Sequence, residues 1–216
     1  MDTEASERTG LRERKKQATR AALSWAAIRL AAERGVDNVR VEDIAAEANV
    51  SLRTFRNYFA NKAEAIVARH LDRALRVADE LRARPAEEPL WDAIANAVPV
   101  QFAPERQEGG PGRTAGGEHP RGQNWAEGIL LMLGEPTVQG EFHKANAAAQ
   151  DELARAIAER TGTDAAHDLY PQLVAAAVGA AIGVAMNHWL RTDPPAAIAP
   201  LMRDLLTQLA AGLPVP

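Results

Sequence analysis

Cysteine is absent from the 216 residues of this chain, so neither a disulfide framework nor a thiolate zinc site is open to it. Runs of β-branched residues are scarce, which disfavours a sheet, and the Ala-rich remainder with 46% apolar residues points to an all-α protein. Long hydrophobic runs are missing as well. The N-terminus, MDTEASERTGLRERKK, has no apolar centre for a signal peptide. The stretch from Val174 to Met186 is apolar on all sides, but roughly 13 residues fall short of the roughly 20 that a membrane helix needs. A buried or dimer-forming helix suits it better. Also lacking are a nucleophile elbow, a phosphate-cradling glycine loop and any His/Glu set at metal-ligand spacing. These absences argue against an enzyme, a cofactor or a metal site, and for a cytoplasmic protein without a membrane partner.

What is present is a strongly divided charge. The chain carries a net −4, which alone would disfavour nucleic acid. Residues 1–62, however, hold 12 Lys/Arg against 9 Asp/Glu, and the remaining 154 hold 13 against 20. Basic groups gather at Arg12, Arg14, Lys15, Lys16 and Arg20. Phosphate attraction depends on charge within a Debye length of about 10 Å, not on the chain total. A basic head and an acidic body are expected. The run at Arg12–Lys16 is either a solvated tail or a DNA backbone or minor-groove contact.

Apolar periodicity predicts about nine helices. The first covers 11–34, with Gly35 at its end in the place of a left-handed C-cap. A short helix follows over 41–48, then a second beginning after Ser51. Asn61 caps a long helix that runs to about Arg84. In the body, helices are expected from Glu87 to about Val98, with Pro99 as a perturbation, then over 124–133 and 136–160. Asp164 is expected to cap a helix to about Arg191, and a last one spans roughly 196–211. Residues 104–123, rich in Gly and Pro, read as a surface loop of unusual length. Two domains are expected: a head at 1–62 and a body at 63–216, joined by the long helix so that a shift at one end moves the other.

The segment VEDIAAEANVSLRTFRNYFANK, Val41 to Lys62, carries the most specific signal. Asn49 stands at a sharp turn and tolerates the left-handed conformation such turns need. Ser51 sits where an N-cap belongs. Phe55 and Phe59, four apart, share a core-facing stripe, while Arg53, Arg56 and Asn57 share an outward one. Guanidinium and carboxamide groups make paired hydrogen bonds to guanine and adenine edges. A short helix that is apolar behind and basic in front is a DNA recognition helix in outline.

On these residues the chain resembles the tetracycline-repressor (TetR) family of transcriptional regulators. The likeness covers about residues 11–67, through "AERG", "VEDIAAEANVS" and "YFANKAEAI"; over the body it rests on helix order and on "LGEP" and "ERTG". It implies an N-terminal three-helix head bearing the helix-turn-helix and a helical ligand-binding and dimerisation body. By the same resemblance Tyr58 and Lys62 take phosphate-contacting positions, and Arg53, Thr54, Arg56 and Asn57 line the base-reading surface, flanked by Ser51, Leu52 and Arg40. Two positions depart from the family pattern. Arg40 replaces a capping Ser or Thr worth about 1 kcal/mol, and Asn49 replaces the commoner glycine.

In the body, Trp91, Phe102, Trp125, Met132 and Phe142 are either core or the lining of an apolar pocket. His143 shares a helix face with Asn146 and Gln150, which points either to solvent or into that pocket. Asn187 and His188 interrupt an apolar helix and are candidate polar anchors. The Ala/Gly-rich stretch around Val178, Gly179, Ile182 and Gly183, with Leu201 and Leu205 of the last helix, forms either a two-fold interface or monomer core. The expectation is a homodimeric repressor that binds a (pseudo)palindromic operator and is released by a small apolar effector. Its partners are therefore duplex DNA, that effector and a second copy of itself. A helical carrier or enzyme, and a sequence-neutral architectural DNA binder, are the rival readings.

Overall fold

A computed structural model describes residues 2–102, 123–192 and 197–213, with side chains over 10–102, 126–192 and 197–213. Among the described residues there are nine α-helices, one 3-10 turn and no strand. They are α1 (Asp2–Arg34), the 3-10 turn Val36–Asn38, α2 (Val41–Glu47), α3 (Leu52–Tyr58), α4 (Lys62–Ala83), α5 (Leu90–Val100), α6 (Gln123–Gly134), α7 (Pro136–Thr161), α8 (Leu169–Arg191) and α9 (Ile198–Ala210). The fold is all-α, as expected. The long Gly/Pro-rich loop expected over 104–123 lies, apart from Gln123, outside the described residues.

Local chemistry sets most helix boundaries. Gly35 follows α1 at a φ of 80°, which a side-chain-bearing residue rarely adopts. Asn61 Oδ1 accepts the Glu64 N–H at 2.8 Å, while Glu64 Oε2 accepts the Ala60 N–H at 2.7 Å, so two free amides at the start of α4 are satisfied together. α2 has no side-chain cap from Arg40, yet its start is not bare. The Arg40 N–H donates to Asp43 Oδ2 at 3.0 Å, the returning half of a capping box.

The expected start of α8 is corrected. Asp164 accepts the Ala166 N–H at 2.7 Å, but it caps only an isolated turn, and α8 begins at Leu169. Pro171 explains the difference. In a helix running from Asp164 its ring would strike the carbonyl four residues back, whereas in the first turn of a helix it is tolerated.

The chain divides into two compact units, Met1–Arg69 with Arg106–Glu141, and His70–Glu105 with Phe142–Pro216. Compactness thus cuts the chain differently from the functional division expected at residue 62: α6 groups with the head. Gly128 is the reason, since its missing Cβ lets α6 lie against the α1 backbone at Ala32. The first unit's core is built from Leu23, Ala27 and Leu30 of α1, Ile44 of α2, Phe55 and Phe59, and Ile66 of α4, all buried.

In the second unit α9 packs on both α5 and α8 around Leu81, Ile94, Val98, Ile157, Val178 and Leu206. Arg160 ties the connection between α4 and α5 by donating to the carbonyls of Arg84, Pro85 and Glu88. Apolar α8 is longer than the 13-residue stretch suggested. Among the described residues it is the one helix that could cross a membrane by length and composition, with 28% of its most apolar window buried.

Candidate nucleic-acid interface

α3 is fixed in three ways. Behind it, Phe55 and Phe59 are almost wholly buried, their ring centroids 5.8 Å apart at a tilt of 53°. Full burial of such a side chain is worth about 1.5–3 kcal/mol. Before it, Asn49 takes a φ of 53°, the left-handed conformation expected, and the Val50 N–H reaches the Ala45 carbonyl at 2.9 Å. At its start, Ser51 Oγ accepts the Thr54 N–H at 3.0 Å and shares a 2.8 Å hydrogen bond with the Thr54 hydroxyl.

With its back held, the helix turns Ser51, Arg53, Arg56 and Asn57 to solvent and leaves Leu52, Thr54 and Tyr58 half-buried. Thr54 therefore spends its hydroxyl on the cap, which the sequence did not reveal. Arg40 is exposed beside α2. Lys62, which resemblance placed on a phosphate, donates to the carbonyls of Val36 at 2.6 Å and Val39 at 3.0 Å. It closes the C-terminal end of the 3-10 turn, and an ammonium keeps one further N–H for another acceptor. Arg20 of α1 lies over the Phe59 ring, 4.7 Å from its centroid. Sequence reasoning counted Arg20 among the basic residues but missed this contact, since 39 positions separate the two.

Within the second unit, the residues proposed for an effector pocket do not form one lining. Trp91 and Phe102 pack half-buried against the second unit's core, so core is the better description of both. Met132 is buried in the other unit, and the Trp125 side chain lies outside the described residues. His143, Asn187 and His188 are exposed, which removes them from any enclosed site within the second unit.

Phe142 and Asn146 do converge, on a residue the sequence did not single out. His70 Nε2 lies 2.6 Å from Asn146 Oδ1, and its imidazole stacks on Phe142 at 4.3 Å. Burial pushes the His70 pKa down, Asn146 opposes that shift, and the Arg73 charge adds to it. One turn on, the Arg73 guanidinium covers Phe102 at 4.7 Å. A shallow depression of about 300 Å³ at Leu30, Arg34, Asp43, Ala46 and Glu47 includes none of the expected ligand residues. Among the described residues no group of acidic or imidazole side chains is placed to hold a metal ion.

The interface candidates also separate. Val178 is fully buried in the chain's own core and has no surface left to offer a second copy. Ile182, Leu201 and Leu205 are half-buried against that core, whereas Gly183 is exposed with open space around it. A Cβ at Gly179 would lie 3.4 Å from the Gln150 side chain.

Residues 25–68 match the pattern of bacterial regulatory proteins of the tetR family, and residues 116–214 match the MftR C-terminal domain of TetR-type regulators. The HTH-type transcriptional regulator TcmR of Streptomyces glaucescens is 31% identical over 189 residues, covering 85% of this chain and 79% of TcmR. The chain belongs to the TetR family. Its members are transcriptional regulators, and α2, the turn through Asn49 to Ser51, and α3 form the helix-turn-helix of this one.

Solved structures agree on the fold. The fatty acid degradation regulator FadR from Bacillus halodurans superposes with a TM-score of 0.58 at 17% identity, over 92% of this chain and 97% of that one. The multidrug binding protein EbrR, complexed with malachite green, gives 0.50 at 22% identity, over 91% and 98%. This TetR-family chain keeps the helix-turn-helix geometry despite Arg40 and Asn49: a carboxylate at Asp43 offsets the lost cap, and asparagine reaches the conformation for which glycine is the usual choice.

Proposed function

We propose that this TetR-family chain is a homodimeric repressor whose α3 reads a (pseudo)palindromic operator and whose body, 63–216, releases it on binding a small apolar effector. The head is 1–62, and the protein works in the cytoplasm, where its DNA lies. The observation that carries this reading is the outward set Arg53, Arg56 and Asn57 on a helix anchored behind by Phe55 and Phe59. Arg pairs with guanine O6 and N7, and Asn with adenine N6 and N7, so these three side chains suit major-groove edges. Ser51, Leu52 and Thr54 would lie along the groove wall. Arg40, the Tyr58 hydroxyl and the remaining N–H of Lys62 would take phosphates.

Dimerisation is supported by α8. Leu169 is 85% exposed, Leu173 67% and Val184 59%, and Ala176, Ala180 and Gly183 lie open between them. Spaced at three and four residues, they form one apolar stripe on a helix whose other side packs inside the chain. Burying that stripe against a second copy, with Gly179, Ile182, Leu201 and Leu205 beside it, would remove it from water. The two heads would then meet half-sites about one DNA turn apart.

An effector acts only through its difference in affinity for the DNA-competent and incompetent shapes. EbrR is complexed with malachite green, an aromatic organic cation, which supports a small organic effector for a body of this fold.

The test begins by selecting preferred duplexes from a random library with the purified chain. Arg53→Ala should then weaken the selected duplex by about 1–3 kcal/mol and relax preference at one base pair. Unchanged affinity and unchanged preference in the titration reject α3 as the reader. A panel of hydrophobic compounds added to the wild-type complex tests release.

A further inference from the structure

We infer that the first part of α1, residues 10–20, is a second DNA-contacting element, a helical clamp along the phosphate backbone beside the half-site read by α3. This rests on the proposed reading of α3. Every residue from 10 to 18 is exposed, although all lie in regular helix. Isolated helices of this length are marginal in water and normally owe their stability to an apolar face packed on something. Here no apolar face is buried, and Gly10 weakens the helix further. What the segment does present is charge: Arg12, Arg14, Lys15, Lys16 and Arg20 against Glu13 alone.

The cations are ordered. Arg12, Lys16 and Arg20 are spaced four apart and form one stripe, with Lys15 at its edge. That stripe spans about 12 Å at the helical rise, enough to follow a strand of a duplex carrying one charge per about 1.7 Å of axis. Its near end is fixed to the recognition element, because the Arg20 guanidinium covers Phe59, the residue that closes α3 after Tyr58. A line of positive charge thus leaves the end of α3 and runs along α1. Lys16 is only weakly neutralised within the chain. Glu13 lies 4.0 Å from Lys16 with both side chains more than half exposed, a weak and easily released pair. Arg14 turns back, its Nε donating to the Gly10 carbonyl at 3.4 Å, and is left out of the clamp.

The experiment uses the full chain and R12Q/K15Q/K16Q, in which glutamine keeps helix propensity while removing charge. Affinity is measured from about 50 to 200 mM salt on a library-selected duplex trimmed to its half-sites and on one extended by about a turn at each end. The variant should lower the slope of log affinity against log salt by about 2 to 3 on the extended duplex. Its ratio of selected to scrambled affinity should stay that of the wild type. An unchanged slope in a variant that still prefers the selected duplex overturns the clamp and leaves the reading of α3 intact. If the wild type prefers no sequence but loses salt dependence on substitution, the clamp stands and the reading of α3 falls.

Discussion

Two serines of the first unit show how the same hydroxyl stabilises or destabilises according to its partner. Ser51 Oγ accepts a backbone amide that α3 would otherwise leave unpaired. Ser24 is fully buried in α1, and its Oγ has no hydrogen-bond partner among the described residues. A buried polar atom left unpaired costs free energy, while a cap is worth having. Ser51→Ala should therefore lower the stability of the chain by about 1 kcal/mol. Ser24→Ala should raise it, by up to about 1 kcal/mol, because it removes an unsatisfied group with little change in volume. Urea denaturation of the two variants beside the wild type decides both. Equal destabilisation by the two would mean that Ser24 has a partner, such as an internal water.

At the scale of elements, the decisive contact in the first unit is between backbones. A Cβ built on Gly128 would lie only 3.0 Å from the Ala32 carbonyl carbon, and closer still to its oxygen. Backbone cannot swing aside as a side chain can, so α6 would have to move off α1. Gly128→Ala should cost about 1–3 kcal/mol, as overpacking does, against a gain of up to about 1 kcal/mol for Gly140→Ala, a helical glycine with open space around it. A lower denaturation midpoint for Gly128→Ala alone is the expected result. A gain in both would show that the helices have room.

These elements also mark what could be read from the sequence. The starts of α3 and α4 were legible because Ser51 and Asn61 act on amides within three residues of themselves. The start of α8 is not legible from Asp164, which is a genuine cap, though of a turn; Pro171, tolerated only in a first turn, marks it instead. Outward Arg53, Arg56 and Asn57 followed from period alone. By contrast, Lys62 reaching carbonyls 23 and 26 positions away, or His70 meeting Asn146 across 76, depends on how helices pack, which no local pattern encodes. The effector residues were least legible for the same reason: aromatic side chains fill cores and pockets alike.

Over the whole molecule, the charges of the second unit make its stability depend on pH in one direction. The Arg84 guanidinium, aided by Asn96, holds Glu88 down to about 2 from an ordinary 4.5. Glu152 is lowered chiefly by Arg155 and Arg82, Glu159 by Arg82, and Asp164 by the Ala166 amide. Each carboxylate is more acidic folded than unfolded, so its contribution is complete above the unfolded value and lost as pH falls toward the folded one. His70 acts in the same sense for another reason. Burial makes its charged form unfavourable in the fold, so protonation below the ordinary 6.5 favours the unfolded chain. Two declines are expected on acidification, neither of them on raising pH from 7 to 8. The first begins below about 6.5 and should vanish in His70→Gln, while the second, between about 4.5 and 2, should persist there and shrink in Glu88→Gln. Urea midpoints measured across that range separate the two. A single decline confined below pH 4 in the wild type would mean that His70 is not protected from solvent, and that the aromatic and amide groups around it form an open site instead of a closed one.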